Sequence, residues 1–318
     1  MAETDLSLRP ALNTSKFRDP DVTAKGEPRA FVSLSRLRTV WFNTGSLCNI
    51  TCDNCYIESS PRNDRLAYLS LNEVRSFLDE IADMPTVEEI GFTGGEPFLN
   101  RESPAMLGEA LSRGYRALVL TNAMKPMQRR KAELLELRSG HGAALTVRVS
   151  IDHYMPEKHE AVRGRCTWRP MLDGLRWLAR NGFRIHVAAR TLWHEPEAEV
   201  RVGFTRLFAA EGIPVDAHDP GALVLFPEMD IHLEVPEITT RCWSILGVRP
   251  EQMMCASSRM VIKRKGANHP VIVPCTLLPY DPQFELGRRL TDASTSVKLN
   301  HPFCAQFCVL GGASCSAA

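Results

Sequence analysis

Three cysteines near the start of the chain have a spacing that suits a metal cluster. They are Cys48, Cys52 and Cys55, in the pattern C-x3-C-x2-C. Three thiolates in this arrangement can ligate three irons of an iron-sulfur cube, because Cys is the usual ligand of such clusters. The fourth iron is then open to a small molecule, and Tyr56, directly after the third cysteine, is well placed to cover the cluster.

A structural zinc ion is the main alternative at these cysteines. Structural zinc sites use closed four-ligand sets built from C-x2-4-C pairs, and Cys52 with Cys55 would supply one such pair. Zinc leaves the third thiolate at the wrong spacing. It also does not explain the motif GGEP at residues 94–97, which follows about one β-α unit later. The cluster interpretation is therefore favoured.

The order and spacing of C-x3-C-x2-C and GGEP resemble those of the radical S-adenosylmethionine (SAM) enzymes. The resemblance extends from about Leu37 to the C-terminus. It implies a [4Fe-4S] cluster whose open iron binds SAM, and whose electron cleaves SAM to methionine and a 5′-deoxyadenosyl radical that abstracts hydrogen from a substrate. The expected partners are a small-molecule or peptide substrate and a reductase such as flavodoxin or ferredoxin.

The resemblance also implies a set of SAM-binding residues. GGEP contacts the SAM amino group in these enzymes, and Glu96 is its only charge. Ser150, Asp152 and Arg163 resemble a segment after the fourth strand, in which serine and arginine hold ribose and carboxylate groups; guanidinium suits a carboxylate geometrically. Many members have glycine where this chain has His153. The cofactor residues expected are Tyr56, Gly94, Gly95, Glu96, Thr121, Asn122, Ser150, Asp152, Arg163 and Arg190.

Several other side chains carry weaker signals. Thr121, Asn122 and Arg190 equally suit polar strand ends. A lone histidine is more often structural than catalytic, and an unpaired cysteine is more often a small buried hydrophobic residue than a ligand. Chemistry is therefore not assigned to His186, His194, His218, Asp219, Cys166 or Cys242.

A second group of cysteines lies in the C-terminal part of the chain. Cys255-x10-Gly266-x8-Cys275, followed by C-x3-C, resembles the SPASM and Twitch auxiliary-cluster extensions, and the missing C-x2-C-x5-C run favours the single-cluster Twitch form. A zinc ion held by thiolates is the alternative. The segment 259–274 predicts a hairpin that brings two of the thiols together. The expected ligands are Cys255, Cys275, Cys304 and Cys308, with Cys315 able to replace either of the last two.

Composition indicates a globular protein without a general attraction to polyanions. The 318 residues are 44% hydrophobic and carry a formal net charge of +1, so neither nucleic acid nor a membrane is indicated as a partner. The N-terminal sequence lacks the apolar core of a secretory signal, which predicts a cytoplasmic protein. Ten cysteines in that compartment favour metal or redox chemistry over disulfides.

Hydrophobic patterning predicts an α/β fold with six strands that alternate with helices. A capping box at Ser70 begins the first helix. Short connections between strands and helices predict a parallel sheet that curls into a partial (β/α)6 TIM-like barrel, whose ligands lie at the C-terminal strand ends. The strands are expected at 37–44, 88–95, 116–123, 145–152, 184–192 and 221–226, and the later helices at 103–114, 127–140, 167–182 and 196–212.

The chain is expected to divide into three parts. Residues 1–34 are polar and lack apolar periodicity, which predicts a flexible arm or loose cover. Peptide-modifying relatives often carry a folded leader-binding domain there, for which this stretch is short and polar. Residues 35–235 are expected to form the partial barrel. A Pro-rich linker from Pro227 then leads to an auxiliary-cluster segment at residues 236–318.

Two classes of function fit the whole pattern. The first is a radical SAM oxidoreductase that oxidises a small molecule or a peptide side chain, with the auxiliary cluster accepting an electron or binding substrate. The second is a nonenzymatic iron-sulfur protein that carries or senses electrons. The cysteines together with GGEP, Ser150 and Arg163 favour the enzyme. The molybdenum-cofactor branch is less favoured, because the chain ends in VLGGASCSAA without a GRR-type tail.

Overall fold

The structure is a computed structural model, and it describes residues 10–313. Strands alternate with helices over most of this range. The strands are β1 (Phe31–Val32), β2 (Thr39–Asn43), β3 (Glu89–Thr93), β4 (Arg116–Thr121), β5 (Leu145–Ser150), β6 (Arg184–Arg190), β7 (Leu223–Phe226), β8 (Ser258–Ile262), β9 (Val271–Val273) and β10 (Val297–Lys298). The helices are α1 (Leu71–Ala82), α2 (Ser103–Ser112), α3 (Lys125–Gln128), α4 (Lys131–His141), α5 (Pro156–Arg163), α6 (Trp168–Arg180), α7 (Glu197–Glu211), α8 (Cys242–Leu246) and a π-helical segment, Cys304–Val309.

Eight of the strands form one sheet in the order β7-β6-β5-β4-β3-β2-β8-β9. Strands β2 to β7 lie side by side in sequence order, and every neighbouring pair among them is parallel. The predicted six-stranded parallel sheet is therefore confirmed. Among the described residues the sheet ends at β7 and β9 and does not close on itself, which agrees with a partial barrel.

Strand β8 extends this sheet beyond β2, which the sequence did not predict. Met260 of β8 pairs in parallel with Trp41 of β2 and antiparallel with Val273 of β9. The hairpin predicted across residues 259–274 is thus confirmed. Its attachment to β2 joins distant parts of the chain and anchors the cysteine-rich segment to the barrel.

One predicted helix needs correction, and the start of another is defined by a side-chain contact. Helix α2 has Glu102 as its N-cap and Ser103 as its first residue, because the Ser103 hydroxyl donates to the carbonyl of Pro97 instead of capping the helix. The helix predicted over 127–140 is interrupted between α3 and α4, where Arg130 leaves the helical region with φ −105° and ψ 21°. None of the helices formed by residues 10–313 is long and apolar enough to cross a membrane.

Two apolar cores hold the layers together. The first joins the sheet to the surrounding helices, among them α1, at whose start the predicted capping box at Ser70 is formed. The second joins Trp41, Leu118 and Met260 of the sheet to apolar residues of the C-terminal segment. The apolar faces of α1 and α6 are buried in the first core through Val74, Phe77, Leu78, Ile81, Leu172, Leu175 and Leu178.

The described part of the predicted N-terminal arm lies against the C-terminal half of the chain. The backbone NH of Leu12 donates to the carbonyl of His232 at 2.7 Å, and β1 pairs antiparallel with β10. Arg29 forms a buried ion pair with Glu237, with Nη2 and Oε1 2.6 Å apart. Residues 10–34 therefore contact the cysteine-rich segment, while the predicted division of the chain into three parts stays a prediction.

Candidate cofactor site

One cavity lies at the C-terminal ends of the parallel strands, where ligands bind in folds of this type. Its walls come from the cysteine loop after β2, from the ends of β3 to β7, and from the segment after β9. Nearly all of the residues predicted for the SAM site meet there. The cavity is lined by Cys48, Cys52, Cys55, Tyr56, Gly94, Gly95, Thr121, Asn122, Ser150, Asp152, Arg163 and Arg190, among others.

The three cysteines of the loop are partly or fully shielded from water. Cys48 is 6% exposed, and the side-chain amide of Asn122 lies 3.9 Å from its sulfur. Burial raises the pKa of the Cys48 thiol to about 12 and also raises the pKa of Cys52. A thiolate at these positions therefore needs a nearby cation, and iron is one that thiolates bind well. The donor set fits an iron-sulfur cluster.

The two glycines of GGEP bring its backbone against the cysteine loop. Gly94 has φ +141°, which favours glycine. The NH of Gly95 donates to the carbonyl of Gly45 at 2.9 Å. A Cβ at Gly95 would lie 2.1 Å from the carbonyl oxygen of Leu47. The two glycines thus approach the backbone before Cys48 closely, so that the GGEP turn and the cysteine loop support each other.

Replacing Gly95 by Ala is expected to destabilise the protein. The added methyl group would overlap backbone atoms that cannot rotate away, and overpacking of this kind costs about 1–3 kcal/mol in the free energy of unfolding. Urea denaturation of the variant under anaerobic conditions measures the change.

Gly140→Ala is the matched control, because Gly140 lies in α4 with no atom within 4 Å of the added Cβ. Its stability should be unchanged or raised by up to about 1 kcal/mol, since Ala favours helix more than Gly does. Equal stability of the two variants would contradict the close approach at Gly95.

Glu96 lies beneath the cavity and does not line it. The carboxylate is buried and accepts hydrogen bonds from the Thr121 hydroxyl at 2.9 and 3.0 Å and from the backbone NH of Asn122 at 2.9 Å. Burial raises its pKa to about 7, against the opposing effect of these hydrogen bonds. In this structure Glu96 supports Thr121 and Asn122, which do line the cavity, and its expected contact with SAM stays a prediction.

A buried ion pair forms one wall of the cavity. Arg163, at the end of α5, donates from Nε to Oδ2 of Asp152 at 2.6 Å and from Nη2 to Oδ1 at 3.3 Å. Asp152 follows β5 and is 2% exposed. Arg163 also favours the thiolate form of Cys52, although burial has the larger effect on that pKa. The structure therefore places a guanidinium between the cysteine loop and the end of β5.

Tyr56 and Arg190 form another part of the cavity wall. The Arg190 guanidinium lies 5.3 Å from the centre of the Tyr56 ring and donates to the carboxylate of Glu228 at 2.5 and 3.0 Å. The Tyr56 hydroxyl donates to the carbonyl of Pro227 at 2.5 Å. These contacts attach the cysteine loop to the chain after β7. Sequence reasoning missed Glu228, because its partner lies on a different strand.

The residues to which no chemistry was assigned stay apart from this cavity. His186, His194, His218 and Asp219 are absent from its described lining. Cys166 and Cys242 are not buried, contrary to expectation: Cys166 is exposed at a turn with φ +62°, and Cys242 is half-buried at the start of α8. His153, expected to alter the loop after β5, is 1% exposed and lies 2.6 Å from Glu195.

A second, smaller cavity gathers four of the C-terminal cysteines. Its other lining residues include Met254, Leu278 and Phe303, and none of its lining side chains is charged. Burial raises the pKa of the Cys255 thiol to about 11. Within residues 10–313, no three His, Cys, Asp or Glu side chains converge tightly enough to hold a single metal ion. The cysteines that line this cavity are Cys255, Cys275, Cys304 and Cys308, whereas Cys315 lies outside the described residues.

The two cavities share a wall. Leu277 lines both of them, and it lies two residues after Cys275. Phe307, between Cys304 and Cys308, has its ring centre 6.2 Å from that of Tyr56 and 5.3 Å from that of Phe226. Tyr56 and Phe226 both line the first cavity. Leu277 and the aromatic contacts of Phe307 therefore separate the two groups of cysteines with apolar and aromatic side chains.

The chain belongs to the Radical SAM superfamily, whose profile matches residues 42–201. Members of this superfamily use a [4Fe-4S] cluster and SAM, so these two cofactors follow from the family. The match covers the cysteine loop, GGEP and strands β3 to β6.

Among curated proteins, this chain is similar to the antilisterial bacteriocin subtilosin biosynthesis protein AlbA of Bacillus subtilis strain 168. The two are 27% identical over 269 residues, which cover 79% of this chain and 57% of AlbA. The chain therefore spans little more than half of that relative.

Two solved structures share the fold. Streptococcus suis SuiB bound to S-adenosylmethionine has a TM-score of 0.58 and 12% identity, and the match covers 80% of this chain and 63% of SuiB. Native anSMEcpe with bound AdoMet has a TM-score of 0.56 and 13% identity, covering 82% and 81% of the two chains. At such low identity these likenesses concern the fold alone.

Proposed function

We propose that this chain is an enzyme that binds a [4Fe-4S] cluster through Cys48, Cys52 and Cys55 and cleaves SAM reductively in the first cavity. One observation carries the proposal: the three cysteines and all of the polar residues expected to bind SAM except Glu96 line one cavity at the C-terminal strand ends. When bound, the cluster and SAM supply a one-electron reduction and a radical that abstracts hydrogen, chemistry that belongs to the cofactors and not to the side chains.

The protein's own side chains would bind and orient SAM. Arg163 would hold the SAM carboxylate, since it lies beside the cysteine loop and a guanidinium pairs well with a carboxylate. Its bond to Asp152 fixes its position before SAM arrives. Ser150 at the end of β5 would meet the ribose. Apolar residues of the same cavity, including Ala188, Ala189 and Phe226, would limit the access of water.

We further propose that Cys255, Cys275, Cys304 and Cys308 hold an auxiliary [4Fe-4S] cluster. Their convergence on one apolar cavity supports this assignment, because a cluster ligated by Cys is suited to an apolar, water-poor site. The cluster would supply an electron acceptor separated from the first cavity by Leu277 and its neighbours. The reaction class that follows is oxidation of the substrate.

A peptide is the substrate class that the comparisons favour. AlbA is named for the biosynthesis of a bacteriocin. SuiB has also been solved bound to its precursor peptide SuiA, and that structure matches this chain with a TM-score of 0.57 and 12% identity. We therefore propose a peptide side chain as the substrate, ahead of a free small molecule, with flavodoxin or ferredoxin as the reductase.

Anaerobic incubation with SAM and dithionite tests the proposed activity. The reconstituted protein is expected to release 5′-deoxyadenosine, measured by liquid chromatography, in an amount that exceeds one equivalent when a suitable peptide is present. A reaction without dithionite is the control. Absence of 5′-deoxyadenosine above that control would favour the nonenzymatic iron-sulfur protein instead.

Arg163→Ala is expected to weaken SAM binding by about ten- to a hundredfold, because a hydrogen bond to a charged group contributes about 1.5–3 kcal/mol. Both clusters should survive, since neither is ligated by Arg163. Equilibrium dialysis with labelled SAM measures the affinity, and the iron content checks the clusters.

The exposed neighbour Arg165 offers a matched control, because Arg165→Ala removes the same charge from outside the cavity. It should leave SAM affinity unchanged. Unchanged affinity in Arg163→Ala as well would transfer the carboxylate-binding role to Arg190 or another residue.

A further inference from the structure

A buried guanidinium lies beside the cavity of the four C-terminal cysteines. Arg259, on β8, is 0% exposed. Its Nη1 donates to the carbonyl of Cys255 at 2.6 Å and to that of Ser258 at 2.7 Å. Its Nε donates to the carbonyl of Ala293 at 2.7 Å, and Nη2 lies 3.5 Å from the carbonyl of Thr295. All four acceptors are backbone carbonyls, which carry no net charge.

Other arginines near the cysteine sites have carboxylate partners. Arg29 is paired with Glu237 at 2.6 Å, and Arg163 with Asp152 at the same distance. Arg259 forms no ion pair with a carboxylate of the described residues. A buried charge without a counter-charge is strongly unfavourable, so its retention indicates that negative charge occupies a neighbouring site.

The sulfurs of Cys255 and Cys275 are the groups near Arg259 that can carry that negative charge. Arg259 interacts electrostatically with both Cys255 and Cys275. Four thiolates bring more negative charge than an iron-sulfur core cancels, and one-electron reduction adds another negative charge. The net charge and hydrogen bonding around a cluster set its potential. A fixed positive charge next to it stabilises the reduced state more than the oxidised state.

We propose that Arg259 raises the reduction potential of the auxiliary cluster and thereby makes that cluster an electron acceptor. This inference rests on the auxiliary cluster of the proposed function. Arg259 acts through the cluster and does not touch the substrate. In the corresponding step, the substrate radical left after hydrogen abstraction loses one electron to the cluster and one proton to solvent, and the cluster is reduced by one electron.

Potentiometric titration of the anaerobically reconstituted full chain, followed by electron paramagnetic resonance, tests the role of Arg259. In Arg259→Gln, the auxiliary cluster should become at least tenfold harder to reduce at a given potential, which is a shift of about 59 mV to more negative potential. The SAM-binding cluster of the same molecule is the internal control, and its potential should not move. Arg259→Lys keeps the charge, so its auxiliary potential should stay close to that of the wild-type protein.

A surface substitution covers the case in which Arg259→Gln does not fold. Thr295 is exposed, and its carbonyl lies 3.5 Å from Nη2 of Arg259, so Thr295→Glu adds a negative charge to a residue that contacts the guanidinium through its backbone, without disturbing the core. It should shift the auxiliary potential in the same direction by a smaller amount. Ser112→Glu, at the exposed end of α2, adds the same charge elsewhere and should shift neither potential.

The outcomes separate this inference from the proposed function. Wild-type protein with about four irons and one resonance signal has no auxiliary cluster, which overturns the cluster and with it the role of Arg259. About eight irons, with the auxiliary potential unmoved in Arg259→Gln or in Thr295→Glu, overturn only the role of Arg259. A purely structural arginine would give that second result.

Discussion

Replacing any one of Cys48, Cys52 and Cys55 by Ala is expected to abolish reductive cleavage of SAM. Three thiolates must hold the cluster while one iron stays open, so no remaining ligand can take the place of the lost one. All three cysteines line the first cavity. Anaerobic assay of 5′-deoxyadenosine measures the effect, and iron content should fall to the amount held by the C-terminal cysteines alone.

Cys166→Ala is the control for this first prediction. Cys166 is a free, exposed cysteine that lines neither of the two cavities. Its removal tests whether loss of a thiol as such alters cluster reconstitution, and it should leave both iron content and SAM cleavage unchanged. SAM cleavage at the wild-type rate in any one of the three cavity variants would refute the assignment of that cysteine.

The double variant Cys255→Ala/Cys275→Ala is expected to separate the two proposed clusters. Wild-type protein should hold about eight irons and the variant about four, because the loss of two thiolates removes one whole four-iron cluster. The variant should still cleave SAM, since the first cavity keeps its ligands, but it should lose substrate oxidation together with its electron acceptor. Iron analysis and 5′-deoxyadenosine assay measure both effects on one preparation.

A matched double variant, Cys166→Ala/Cys242→Ala, removes two thiols that lie outside the second cavity. It should keep about eight irons. Finding one tightly held zinc and about four irons in anaerobically prepared wild-type protein would instead show a structural zinc site in the C-terminal segment. That result would remove the electron-acceptor mechanism and leave the first cavity as proposed.

The strands that position the first cavity were predictable because their signals are local. The apolar run at residues 37–44 became β2, and the capping box at Ser70 formed as expected. Helix α5 was missed: only His159 and Val162 of its eight residues are buried, so the segment has no apolar periodicity to detect. Helix α5 carries Arg163. This residue was therefore identified only from the resemblance to a family, and not from a predicted place in the fold.

The direction of the Glu96 side chain could not be predicted from the local sequence. The sequence identified Glu96 as the only charge in GGEP and assigned it to SAM. The structure turns the carboxylate inward, because Thr121 and the backbone of Asn122 supply donors from the neighbouring strand β4. Pairing between β3 and β4 decides that outcome, and a pairing between strands is not encoded in the four residues of the motif.

The sequence by itself determined the family, the parallel sheet and the candidate ligands, because residue spacing and hydrophobic period act over a few residues. Tertiary structure alone decided which of those residues meet. The parallel pairing of β8 with β2 places the C-terminal hairpin on the barrel, and Leu277 thereby lines both cavities. The same packing buries Arg259 beside Cys255 without a carboxylate partner among the described residues. The pairing of β8 with β2 and the contact of Arg259 with Ala293 join segments that are far apart in the chain and are fixed by the burial of shared surface, for which no local pattern exists.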